Sequence, residues 1–550
     1  MKKAILIIIL FFAISPALAR DVGDVEDFSI ESSYDHEGRR EVDGKLIEMT
    51  EDLFFYTDKV WWTGLTESEK DDYRQAMNVL GGDFVDNISP SLTDYFGSAP
   101  DHPVSEEERI SILFHPMKKT AGGYFNSGDQ YSKHQNPNSN ERSLLYLNTS
   151  VLDYEDKAGF LAHEFAHLLV FNQKERLRGV REEIWLNEAR AEFAPTLTGY
   201  DEMEDSNLDR RINTFIRDPD ISLTEWIGQR ADYGIVNVFT QYLVDHYGVE
   251  ILSESLKNSK VGIPSINYAF EELGYEKDFH DVFNNFKVAV FVNDCQLGER
   301  FCFKSEDLKN LQISPATNYM PYGKDSSLSV QYRTKNWSGN WHKITGGEGD
   351  LSLDFRIEED VRVEIPYLLC NDNECEVYFL ETEEGSASLK VDDFSKKYSS
   401  LIIMPSVQEK ISGFNGTEES FLFTWEASIT AEERYEEELE KLRRLRELLD
   451  QLRERVERRD TQDKTACTIE GPLFMGVGDN DSVRCLQRFL ATNPEVYPEG
   501  YITGNFGPLT EAAVNRFQEK HSKEILEPLG LSEGTGYVGA KTIAKINNLR

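Results

Sequence analysis

The sequence predicts a multidomain chain in which an α+β domain, an all-β sandwich, a charged helical spacer and a small helical domain follow one another. Three changes of pattern carry this reading. Between Leu53 and Cys302, short apolar runs such as 110–114 and 144–147 read as strands, and later segments with apolar residues every three to four positions read as helices. From Ser327 to Ile429 the pattern becomes alternating runs (328–332, 351–357, 361–365, 377–380, 401–404, 421–425) separated by Gly, Asp and Asn turns, the mark of a sandwich over 326–429. Beyond Thr430 come dense charge and then two similar amphipathic segments. A length of 550 residues, at about 150 per domain, fits three or four domains.

Charge and cysteine usage bound the partners and the compartment. Lys and Arg number 59 against 98 Asp and Glu, a net charge of −39. Such a surface repels phosphate backbones and anionic lipid, which excludes nucleic acid and disfavours a membrane surface. With 39% hydrophobic and 11% aromatic residues the chain still builds real cores. Lys2 and Lys3, the apolar stretch 4–14 and Ala17-Leu18-Ala19 form a cleavable export signal over 1–19. The apolar stretch is shorter than the roughly 20 residues of a membrane span, and no later stretch is long and apolar enough. A secreted, extracellular or wall- or periplasm-associated protein with no span after cleavage is therefore expected. Residues 20–50 are polar, acidic and weakly patterned, and read as a leader or pro-segment. Six cysteines fall in three close pairs, Cys295/Cys302, Cys370/Cys375 and Cys467/Cys485. In an exported chain these read as three local disulfides; zinc is the competing reading, but no pair is CxxC.

Thr430-Ala-Glu-Glu433 is a capping box opening a charged helix, the spacer 430–462. Tyr435, Leu442, Leu449 and Val456 repeat every seven residues, with Leu445 and Leu452 between them. Dimerisation through 430–459 as a coiled coil and a single spacer helix are both open.

The chemistry is concentrated in two short segments. His163-Glu164-Phe-Ala-His167 sits in a helical pattern, where one turn sets both imidazoles on one face and leaves Glu164 beside them. Glu188 follows 21 residues after His167. Two imidazoles and a carboxylate are the three protein ligands of a catalytic zinc ion with one open position. Glu192, one turn beyond Glu188, is placed to accept a hydrogen bond from a ligand imidazole, with Asn187 beside the same group.

His163-Glu-x-x-His167 followed by Asn187-Glu188-x-x-x-Glu192 resembles the gluzincin metallopeptidases, the thermolysin-like class. The surroundings resemble the bacterial hyicolysin-type peptidases more closely: Gly123-Tyr-Phe125 with Asp129, Ser139-Asn-Glu-Arg142 leading into 144–147, Trp185-Leu-Asn-Glu188, and Tyr233-Gly234. The resemblance covers roughly 100–295 and implies a zincin-like α+β domain over 51–315. It implies zinc bound by His163, His167 and Glu188, with Glu164 as general base and Tyr233 as stabiliser of the oxyanion. It also implies that a strand just before the metal helix pairs with extended peptide, here 143–148 with Leu144, Tyr146 and Asn148. One departure is Arg190, where a small residue is expected.

In the last 85 residues, Val483-x-x-Leu-Gln487-x-Phe and Ala513-Val-x-x-Phe-Gln518 form an internal pseudo-repeat, with glycines marking the turn before each helix. Over 466–550 this resembles peptidoglycan-binding domain type 1, a small three-helix module. Asp479-Asn-Asp481 offers oxygen ligands without EF-hand spacing and reads as a turn, so calcium lacks support.

The expected function is an exported zinc endopeptidase acting on proteins or peptides and retained at the cell wall through peptidoglycan. The alternatives are a hydrolase of peptidoglycan cross-links and a non-catalytic wall-binding protein with a degenerate peptidase fold.

Overall fold

The computed structural model describes residues 20–100, 109–321, 326–358, 360–430, 435–462 and 467–550. The expected export signal and residues 431–433 of the capping box lie outside the described residues. The chain divides into two compact units, Met1–Glu432 and Glu433–Arg550.

The first unit opens with a mixed sheet of β1 (Val25–Ser29), β2 (Glu41–Met49), β3 (Leu53–Asp58), β4 (Ile110–His115), β5 (Gly123–Phe125) and β6 (Leu144–Asn148), in the order β1-β2-β3-β4-β6-β5. β3, β4 and β6 are parallel, while β1, β2 and β5 each run antiparallel to a neighbour. Every residue of β3 and β4 is buried, because parallel strands are covered on both faces and so read as unbroken apolar runs. Phe55, Ile112, Phe114, Leu145 and Leu147 face the helical layer. Phe54, Tyr56, Leu113, Leu144 and Tyr146 face a smaller cluster completed by Phe28 and Val42.

The 20–50 segment is thus not the leader expected: it contributes β1 and β2. A strand with one solvated face buries only alternate positions, here 42, 44 and 46 of β2, while Glu41 and Asp43 face solvent. A period-two signal so short is hidden by acidic composition.

Five helices matter for the site: α1 (Lys157–Phe171), α2 (Ile184–Leu197), α3 (Asn207–Arg217), α4 (Arg230–Tyr247) and α5 (Phe279–Val292). α1 is apolar around its circumference and is buried around its circumference. Arg190 of α2, the departure noted in the sequence, is fully buried and donates to Glu182 Oε2 at 2.9 Å and Ser255 Oγ at 2.6 Å. A paired arginine therefore occupies the place of a small residue.

The sandwich follows: β7 (Ala316–Met320), β8 (Ser326–Lys335), β9 (His342–Gly346), β10 (Asp350–Ile357), β11 (Val363–Cys370), β12 (Cys375–Leu380), β13 (Ser386–Val391), β14 (Ser400–Ile403), β15 (Ser406–Val407) and β16 (Ser420–Thr430). One sheet runs β13-β10-β16-β8; the other runs β12-β11-β14-β9-β7, with β15 paired to β11. Leu353, Phe355, Phe423 and Trp425 meet Ile344, Ile365, Leu401 and Ile403 between them. β7 lies before the boundary expected at 326, since a short, mostly exposed Ala-Thr-Asn-Tyr-Met strand carries no apolar signal. The sandwich is also not a separate bead. Trp337, Trp341, Ile402 and Met404 belong to the core of the preceding domain, and the buried Lys287 amine of α5 donates to Met404 O at 2.9 Å.

In the second unit, α6 (Tyr435–Gln462) carries Leu442, Leu445, Leu449 and Leu452 exposed in the single chain. α7 (Asp481–Ala491), α8 (Pro508–Lys520) and α9 (Ala540–Leu549) close around Val483, Leu486, Val514, Phe517 and Ile546. The sequence repeat has a physical counterpart in two buried glutamines. Gln487 Oε1 accepts Thr503 N and Gly504 N, and its amide donates to Thr510 Oγ1. Gln518 does the same with Thr535 N, Gly536 N and Thr542 Oγ1.

Disulfides join Cys295 to Cys302, Cys370 to Cys375 and Cys467 to Cys485. Among the described residues no helix is long and apolar enough to cross a membrane.

Phe423 is fully buried, with its ring against Tyr332, His342 and Phe355. Phe423→Ala is expected to cost about 3–5 kcal/mol, read as a lower denaturation midpoint of the first unit.

Candidate functional site

The site is built where α1 crosses α2. His163 and His167 present their imidazoles together, ring centroids 4.9 Å apart. Both Nε2 atoms approach one oxygen, Glu188 Oε2, at 3.6 and 3.7 Å. The three ligand atoms lie within 4.8 Å of one another, so these residues could hold a metal ion. The far sides of the rings are also occupied: His163 Nδ1 is 3.6 Å from Glu192 Oε1, and His167 Nδ1 is 3.2 Å from Asn187 Oδ1. These contacts direct both Nε2 atoms inward.

The charge balance is lopsided. Glu192 is fully buried, and Arg211 of α3 clamps it with two hydrogen bonds of 2.7 Å, while Asn207 and Asn237 donate to the same carboxylate. Burial opposes the charged form, but Arg211 outweighs it and holds Glu192 well below the usual carboxylate range. Glu164 has no such partner. Burial, helped by Glu188 and Glu192 against the pull of His163, pushes its pKa up to about 8. Burial also opposes charge on His163, but Glu188, Glu164 and Glu192 overcome it and raise that ring to about 9. Glu164 Oε2 and Glu188 Oε2 are buried without a hydrogen-bond partner. Such orphaned acceptors mark a place for a cation or a polar ligand.

These groups line a cleft of about 670 Å³. One wall is β5, whose approach to the acids requires glycine: a Cβ on Gly123 would stand 2.7 Å from Glu164 Oε1 and 2.6 Å from the Tyr146 carbonyl. Tyr233, in the first turn of α4, also lines the cleft, its ring under the Arg211 guanidinium at 4.6 Å and edge-on to Trp226. The segment bearing Trp226 is tied to the sandwich by Leu223 N to Trp337 O at 2.9 Å and by Glu225 to Lys335 Nζ at 2.5 Å.

The expected substrate strand is corrected. β6 lies between β4 and β5, so both its edges are already paired and no backbone group is free for a peptide. Leu144, Tyr146 and Asn148 are buried, and the Tyr146 hydroxyl donates to Asp129 at 2.6 Å. Asn148 instead donates to Ala121 O at 2.9 Å, supporting the loop before β5. The free sheet edge in the cleft is β5. Sequence spacing had no means of reaching Arg211, Trp226 or Tyr34, all in the lining.

Residues 479–546 match the family described as "Putative peptidoglycan binding domain". No curated protein matches the chain. Among solved structures, the crystal structure of Aeromonas hydrophila PliG, a periplasmic lysozyme inhibitor of g-type lysozyme, is similar over 21% of this chain and 98% of that one. Its identity is 8% and its TM-score 0.15, too low to bear on fold or function. The comparisons thus define a multidomain chain ending in a peptidoglycan-binding module, which supports association with the cell wall.

Arg211 is the one guanidinium on Glu192 among the described residues. Arg211→Met is expected to destabilise by about 3 kcal/mol through the uncompensated buried carboxylate, and Arg211→Met with Glu192→Gln to recover most of it, both read by denaturant unfolding.

Proposed function

We propose that the chain is an exported zinc-dependent endopeptidase held at the cell wall by its C-terminal module. The observation that carries this reading is the convergence of His163 Nε2, His167 Nε2 and Glu188 Oε2 beside an unpaired Glu164 in a cleft with a free strand edge. The donor set fits zinc. Ligands about 2.0–2.1 Å from a tetrahedral zinc stand roughly 3.4 Å apart, close to the 3.6 and 3.7 Å found here. The orphaned Glu188 Oε2 is the atom such an ion would satisfy. Bound there, zinc would act as a Lewis acid and acidify a water.

The chain's own residues supply the rest. The β5 edge offers backbone N–H and C=O groups to an extended peptide. Glu164 takes the proton of the attacking water and delivers it to the leaving nitrogen as the C–N bond breaks. Tyr233 donates a hydrogen bond to the carbonyl oxygen as it gains charge. Glu192 and Asn187 hold the imidazoles in their inward tautomers. Three disulfides support an oxidising compartment outside the cytosol.

The family match of residues 479–546 favours a second reading, in which the peptides cut are those of the wall itself. Casein and purified sacculi separate the two. Glu164→Gln is expected to retain about one zinc per chain while peptide cleavage falls about 10²–10⁴-fold, checked by metal analysis and kinetics; absence of zinc from the wild type would refute the enzyme reading. Removal of residues 467–550 is expected to abolish co-sedimentation with peptidoglycan and leave casein cleavage intact.

A further inference from the structure

The loop joining β1 to β2 brings a residue into the cleft that nothing in the metal motif anticipates. Tyr34 stands in the same lining as His163, Glu164 and Tyr233. Its ring stacks on Tyr124 of β5 (centroids 4.7 Å, planes 10° apart), and Tyr124 stacks in turn on Tyr146 of β6 (4.2 Å, 10°). The three phenols differ in what their hydroxyls do. Tyr146 is bound to Asp129 and Asn140, and the Tyr124 oxygen accepts Glu31 N–H at 3.0 Å. The Tyr34 hydroxyl makes no hydrogen bond within the described residues; one face of its ring is held by the Tyr124 stack, and the residue is 39% exposed at the cleft.

That hold is specific. The Tyr34 carbonyl accepts Lys118 N at 2.9 Å, and His36 N donates to Pro116 O. Next to it, Asp35 is fully buried and gathers Glu37 N, Arg39 N and the Arg39 guanidinium, which also reaches Asp58 at 2.6 Å. The loop 30–40 is thereby pinned so that Tyr34 lines the cleft with no protein acceptor for its hydroxyl among the described residues. Burial, then the charges of Glu188 and Glu164, raise this phenol above its ordinary pKa, so it stays a donor at neutral pH. A fixed, unpartnered donor beside the acids costs no reorganisation when charge develops on a substrate oxygen.

We propose that Tyr34 is a second catalytic hydrogen-bond donor, acting with Tyr233 on the scissile carbonyl oxygen. The assignment rests on the peptidase reading of the same cleft. Tyr34 keeps its proton throughout: the bond to the leaving nitrogen breaks, the bond to the water oxygen forms, and the phenol only strengthens its hydrogen bond as the carbonyl oxygen becomes negative. The N-terminal strands therefore complete the site as well as the sheet.

The test uses the full chain with Tyr34→Phe, which preserves the ring stack, beside wild type and Glu164→Gln. A peptide substrate gives kcat and KM, and calorimetry gives the affinity of a phosphonate analogue of that peptide, whose charged tetrahedral group stands in for the reacting carbon. Tyr34→Phe is expected to keep its zinc content and melting temperature. It should lower kcat about 10²-fold or more, leave KM within about twofold, and weaken phosphonate binding by a factor similar to the loss in kcat. Unchanged kcat and unchanged phosphonate affinity in an active background overturn the role of Tyr34 alone. A loss confined to KM, with substrate and phosphonate weakened alike, overturns it too, because it makes Tyr34 part of a uniform binding surface. A wild type that binds zinc but neither cleaves peptide nor binds the phosphonate overturns the peptidase reading and this role together.

Discussion

Three carboxylates, Glu164, Glu188 and Glu192, converge where α1 crosses α2, and among the described residues only Arg211 pairs a guanidinium with any of them. Charge in such a place is costly unless paired. Arg211, Asn207 and Asn237 are all committed to Glu192, while Glu164 Oε2 and Glu188 Oε2 stay without a hydrogen-bond partner. The positive charge is spent on the residue that orients His163 rather than on those that face the cleft. That distribution makes the site receptive to a cation, and it explains why α3 and α4 must pack where they do: each brings a donor to Glu192.

The remainder of the first unit gives this arrangement rigid walls. The sheet supplies β5, which approaches Glu164 only because residue 123 has no side chain. The N-terminal strands cover the far edge, and the loop between them is nailed down by the buried Asp35. The sandwich contributes as well, since it holds the Trp226 segment through Glu225 and Lys335 and shares a core with α5. A domain that reads in sequence as a separate sandwich is in the structure a support for one side of the cleft.

The second unit follows a different logic. Its two glutamines each satisfy two backbone N–H groups of a glycine turn and one threonine hydroxyl, so the same polar knot is tied twice. This is a fold specification carried by buried hydrogen bonds, which are expensive to leave unmade. The recurrence is what the sequence repeat and the family match over 479–546 both register.

By itself the sequence determined whatever depends on local spacing. One helical turn separates His163 from His167 and Glu188 from Glu192, alternation marks the sandwich strands, and three short loops define the disulfides. Only the tertiary structure decided which strand is the free edge. Leu144, Tyr146 and Asn148 have the composition of any buried strand, and whether β5 covers them depends on a pairing that local sequence does not encode. It likewise decided that β1 and β2 belong to the sheet, because two short, half-solvated strands in an acidic stretch bury too few side chains to show a period. Arg211 and Tyr34 were beyond reach for the same reason. Their roles arise from contacts across long sequence separations, 19 residues from Arg211 to Glu192 and 90 from Tyr34 to Tyr124, and such contacts exist only once the chain has folded.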